Sequence, residues 1–98
     1  MAGLRFSWDL HKARSNEQKH GVSFEEAQTA FLDEHALVVE DPDPDDPEER
    51  FVLLGLSSAL RLLLVCHCVR ESGDLVRIIS ARRATKAEGR QYWERLRR

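Results

Sequence analysis

A 98-residue chain that is 42% hydrophobic and 33% charged, with a formal net charge of −2, reads as one globular domain and not as a disordered segment. Its longest uninterrupted apolar run, Leu62–Cys66, is too short to cross a bilayer, and no charged-then-apolar leader opens it, so a cytoplasmic protein with no membrane partner is expected. Cys66 and Cys68 lie two apart in an extended run where they cannot pair, which fits a reducing compartment.

In chain order, Leu4–Trp8 alternates apolar and polar residues as a short strand does. Asp9 suits a helix N-cap, Leu10–His20 a polar first helix, and Gly21 its end, with Lys19 and His20 complementing the dipole. Ser23 and Glu26 form a capping-box pattern that starts a second helix bearing Phe24, Ala27 and Phe31 on one face. Ala36–Glu40 is a candidate strand. It runs into a loop, residues 41–48, that holds all three prolines and should be exposed. Phe51–Leu56 and Leu60–Arg70 are strands joined by a turn around Ser57–Ser58, and a turn at Ser72–Gly73 leads into Leu75–Arg83 as a hairpin. Thr85 and Glu88 make a second capping box, opening a last helix whose apolar stripe is Gly89, Tyr92, Trp93 and Leu96. Gly89 weakens that helix by about 1 kcal/mol relative to Ala. The order β-α-α-β-β-β-β-α predicts a single α+β domain over residues 1–98 with a small, largely antiparallel sheet.

The net charge conceals two opposed regions. Residues 40–49 hold seven acidic groups and no basic one, which leaves fifteen basic against ten acidic groups elsewhere, a net +5. From Arg77 to Arg98, eight basic residues face only Glu88 and Glu94. Guanidinium groups fixed on a strand suit bidentate capture of phosphate, which makes RNA the first candidate ligand. A hairpin turning symmetrically about residues 72 and 73 pairs Arg70 with Leu75 and Cys68 with Arg77. One face would then carry Arg70, Cys68, Cys66, Arg77, Ile79 and Arg83, and the other His67, Val65, Ile78, Ser80 and Arg82; a one-residue slip exchanges the sets. The plainer alternative is that these arginines sit at strand ends and pair with the acidic loop.

Cleavage of RNA by its own 2′-hydroxyl needs a proton acceptor, a proton donor and cations at the phosphate. The histidines available are His11, His20, His35 and His67. His67 lies in an apolar strand and reads better as a hydrogen-bonded core residue, and His20 serves equally as a helix cap. Tyr92 suits proton donation or base stacking, but a tyrosine on an apolar helical stripe is more often core. The loop DPDPDD departs from a calcium loop by having Asp46 where glycine is needed, and Cys66, His67 and Cys68 are not in a zinc spacing, so neither metal nor cofactor is expected.

At Lys19–Ala27 (KHGVSFEEA) and Arg77–Ala84 (RIISARRA) the chain resembles the BrnT family of bacterial type II toxins. The opening FSWDLHKARSN, the acid pair before Arg50 and Phe51, the GLS at Gly55–Ser57 and the RLLLV at residues 61–65 also sit where that family's pattern puts them, so the resemblance spans roughly residues 5 to 94. It implies a RelE-like fold, a metal-independent endoribonuclease and a BrnA-type ribbon-helix-helix antitoxin that supplies the DNA binding. Carried over residue by residue, it implies a catalytic set of Lys19, His20, Arg50, Arg70, Arg77, Ser80 and Arg82. Arg83, Lys86, Arg90 and Tyr92 extend this as an RNA-binding track. A non-catalytic module that binds nucleic acid or protein through the same basic surface is the alternative. The long acidic loop and Gly89 depart from the family pattern.

Overall fold

Leu10–His20 is helical (α1) because Asp9 accepts the backbone N–H groups of His11 and Lys12 at 2.8 and 3.2 Å, and Gly21, at φ 68°, closes the last turn onto the Glu17 carbonyl. In the computed structural model, which describes residues 3–46, 48–70 and 73–97, the remaining elements are β1 (Arg5–Ser7), α2 (Phe24–Thr29), β2 (Leu37–Glu40), β3 (Arg50–Leu56), β4 (Leu62–Arg70), β5 (Leu75–Arg83) and α3 (Lys86–Leu96). A short 3₁₀ turn, Ala30–Leu32, follows α2. The element order is the expected one, and the Ser72 half of the expected turn lies outside the described residues.

Five strands form one sheet in the order β1-β5-β4-β3-β2, antiparallel except for β1, which runs parallel to β5. One face carries the main core: Leu53, Leu63, Val65, Val76, Ile78 and Ala81 pack against Val22, Phe24, Ala27 and Ala30. Of the capping box expected at α2, only half forms. Ser23 accepts the Glu26 N–H at 3.0 Å, but the Glu26 carboxylate turns away to Arg61 and Ser57. At α3 both halves are present.

The hairpin register is Arg70↔Leu75, Val69↔Val76 and Cys68↔Arg77, as expected. Beyond His67 it shifts. His67 pairs with Ile78 and Cys66 with Ser80, so Ile79 is an extra residue in β5, a β-bulge. The bulge corrects the face assignment, because directly opposed residues share a face. Ser80 and Arg82 join Arg77, Cys66, Cys68 and Arg70 on the second face, while Ala81 and Arg83 fall on the core side.

The second face is partly covered by α3, whose Gly89 is buried against Leu62. Tyr92 is 2% exposed and donates its hydroxyl proton to Asp33, which also accepts the Leu56 N–H at 2.8 Å. That bond fixes the rotation of α3. As a result Trp93, expected in the same apolar stripe, is 47% exposed. No described helix is long and apolar enough to cross a membrane.

Candidate active site

Two cross-strand rows organise the second face. Arg50 (β3), Cys68 (β4) and Arg77 (β5) are directly opposed in one row, and Val52, Cys66 and Ser80 form the other. Neighbouring strands lie about 4.8 Å apart, so Arg50 and Arg77 are separated by roughly 10 Å of backbone, a gap two extended guanidinium side chains can close onto one phosphate. Arg82 stands opposite Leu64 on the same face, and Arg70 lies at the hairpin end.

The end of α1 comes to this row from the side. β1 pairs with β5 only as far as Arg77, so the edge of β5 beyond it lacks a strand partner. Asn16 of α1 takes that place. Its Nδ2 donates to the Ala81 and Val22 carbonyls at 2.8 and 3.0 Å, and its Oδ1 accepts the Ala81 N–H at 3.0 Å. Docked in this way, α1 sets Lys12, Lys19 and His20 beside Ile79 and Ser80 around a shallow groove of about 190 Å³. Lys19, His20 and Ser80, distant in sequence, are thereby neighbours.

The four arginines on this face differ in their electrostatics. Arg50 donates through Nη1 to Asp43 and through Nη2 to the Cys66 sulfur, each at 3.3 Å, while its Nε is buried without a partner. The Cys66 contact, then the charges of Asp43 and Asp41, outweigh burial and hold its pKa above the ordinary value. Arg70 is paired with Glu48. Arg82 forms a bidentate pair with Glu88 at 2.9 and 2.9 Å and also donates to the Arg83 carbonyl, which ties it to the cap of α3. The Arg82 guanidinium, helped by the Thr85 N–H, holds the Glu88 carboxyl at about 2. Arg77, half-buried, has no carboxylate partner among the described residues. Of the set, it is the guanidinium that meets a ligand phosphate without first breaking an ion pair to a described residue.

The pairing alternative is thus realised at Arg70, where Glu48 of the acidic loop reaches back over the sheet, and Asp43 of the same loop engages Arg50, outside the hairpin, in the same way. Burial, then Glu48, pushes the Cys68 thiol up to about 11, so it is held neutral between the two arginines of its row. His67 is a core residue. It is 3% exposed, within 3.1 Å of the Val65 carbonyl through Nδ1 and flanked by Phe31 and Phe51, and burial lowers its pKa. Tyr92 follows its packing alternative too: burial and the bond to Asp33 push its hydroxyl up to about 12 and take it away from any nucleotide-facing surface. Arg83 is exposed on the other side of β5, and Lys86 and Arg90 are exposed on α3. Asn16 is an organiser of this face that no local sequence pattern singles out, and Asp43 and Glu48 are the loop residues that carry out the pairing. The family-like opening that ends in Asn16 was the available signal for the first, and the charge of the loop for the others.

The model of the family described as "Ribonuclease toxin, BrnT, of type II toxin-antitoxin system" matches residues 8–88 of the chain. Among solved structures, the fold is similar to the 1.1 Å crystal structure of the Brucella abortus ribonuclease toxin BrnT, with a TM-score of 0.64 and 22% identity, covering 85% of this chain and 99% of that one. No curated protein matches the chain.

Proposed function

Because the chain belongs to the BrnT family of ribonuclease toxins of type II toxin-antitoxin systems, we propose that it cleaves RNA on the second face of its sheet, without a metal, using the Arg50–Cys68–Arg77 row and the adjoining end of α1. The 2′-hydroxyl gives its proton to a base, and its oxygen bonds to the adjacent phosphorus. The phosphorus–5′-oxygen bond then breaks and the leaving oxygen takes a proton, leaving a 2′,3′-cyclic phosphate and a 5′-hydroxyl. Arg77 binds the scissile phosphate and stabilises the charge that builds on it in the transition state. His20 is the acid–base group, with Lys19 beside it as a further cation and Ser80 orienting the phosphate. Arg50 and Arg70 add charge once they exchange Asp43 and Glu48 for RNA, and Arg82 sets the position of the β5–α3 junction.

The single observation that carries this reading is that Arg77, which has no carboxylate partner among the described residues, shares a face with Ser80, itself beside Lys19 and His20 in one groove. A BrnA-type ribbon-helix-helix antitoxin is the proposed partner that covers this face and supplies DNA binding. The test is incubation of the antitoxin-free protein with single-stranded RNA in chelator. Cleavage with cyclic-phosphate ends is expected, lost about 10²–10³-fold in Arg77→Ala and retained by that variant's fold and antitoxin binding. If the RNA stays intact and expression of the protein still arrests growth in Arg77→Ala, the reading fails.

A further inference from the structure

Lys86, Arg90, Trp93 and Arg97 recur at the i, i+4, i+7 and i+11 spacing, which places them on one stripe of α3. With Leu62 they line a groove of about 700 Å³. None of the three cations has a carboxylate within ion-pair distance among the described residues, and Glu94 is the only acid lining the groove. The floor contains Gly89. A methyl group there would meet Leu62 Cδ2 at 3.6 Å and Trp93 Cδ1 at 4.0 Å, both ordinary contacts, and the backbone is helical. Neither packing nor conformation requires glycine, although it weakens the helix. What the glycine does is keep the floor open beneath an exposed indole. Trp93 meets the Tyr92 ring edge-on, with centroids 4.9 Å apart, and leaves the rest of its indole exposed. Stability given up to leave space beside that exposed ring, and beside three cations without a carboxylate partner among the described residues, points to a ligand.

We propose that this groove is a binding site for single-stranded RNA, in which a base stacks on Trp93 and the backbone is held by Lys86, Arg90 and Arg97. The inference rests on the RNA-cleaving reading and deepens it. An amphipathic helix of a partner protein needs a row of apolar anchors, whereas this groove offers one exposed aromatic ring and Leu62. A base and its phosphates need one ring and several cations. At 100° per residue the stripe lies on the flank of α3 opposite Glu88, so a strand leaving Arg82 reaches the groove by passing the first turn, at Thr85 and Lys86. The family match ends at residue 88, short of Trp93.

The test uses the full chain with Trp8→Phe, which leaves Trp93 as the only tryptophan, and a 2′-O-methyl single-stranded RNA of about ten nucleotides, which cannot be cut by 2′-hydroxyl attack. Quenching of Trp93 emission on binding is expected, and anisotropy of the same RNA carrying a dye should show about tenfold weaker affinity in Trp93→Ala and a shallower salt dependence in Arg90→Ala. Gly89→Ala should raise the melting temperature by roughly 4 °C and still weaken RNA binding several-fold, a combination that damage to the fold cannot produce. RNA cleavage is measured in parallel. Normal cleavage with unchanged Trp93 emission, or emission that responds only to added antitoxin, overturns this site alone. Absence of both binding and cleavage overturns the site together with the reading beneath it.

Discussion

Asn16 brackets Ala81, donating to its carbonyl at 2.8 Å and accepting its N–H at 3.0 Å, so that a side chain of α1 stands where the next strand of the sheet would be. Asn16→Ala should destabilise the protein by about 2–4 kcal/mol, because it strands both buried backbone groups of Ala81 and the Val22 carbonyl. Urea unfolding measures this. RNA cleavage by the folded fraction should fall as well, since Lys19 and His20 lose their seat beside Ser80.

Asp43 and Glu48 occupy two guanidinium groups that the proposed chemistry requires. The double substitution Asp43→Asn with Glu48→Gln should tighten RNA binding roughly fivefold at low salt, from two partly exposed pairs of about 0.5 kcal/mol each. Anisotropy of a labelled RNA checks it, and the advantage should shrink as salt rises.

Acid should loosen the β5–α3 junction. A carboxyl held at about 2, below its ordinary 4.5, stabilises the fold while ionised, so the Glu88 contribution is complete above about pH 4.5 and is lost as the pH falls towards 2. Glu88→Gln should cost about 1–2 kcal/mol at neutral pH, allowing for solvent screening, and flatten the decline in stability below pH 4.5. Thermal unfolding of the two proteins between pH 7 and 3 makes the comparison.

Cys68 should resist alkylation. With its thiol pushed up to about 11, the thiolate is scarce at pH 8, and iodoacetamide should label it at least about 100-fold more slowly in the native protein than in urea. Burial is the larger cause, so Glu48→Gln should speed labelling only slightly. Peptide mass mapping after timed quenching distinguishes the two cysteines.

What could be read from the sequence was whatever is fixed by local chemistry. Asp9 and Gly21 bound α1, Thr85 and Glu88 start α3, and the spacing of the turn gives the pairing of Arg70 with Leu75 and Cys68 with Arg77. The bulge was hidden because Ile79 is an ordinary strand residue, and one extra residue leaves no mark on a two-residue period until its partners are known. The parallel partner of β1 was hidden too, since three residues carry too short a pattern to choose an edge. At the site, the cations were legible as residues and their availability was not. That Arg77 has no carboxylate partner among the described residues while Arg50, Arg70 and Arg82 are engaged depends on where Asp43, Glu48 and Glu88 are brought by the fold.

Ile79 gives β5 one residue of slack. Deleting it would leave every other cross-strand partner in place and keep Arg77, Ser80 and Arg82 on their present face. The same residue lines the groove beside His20. Chain length can therefore vary at this point, reshaping the wall of the groove, while the arginines beside it stay fixed.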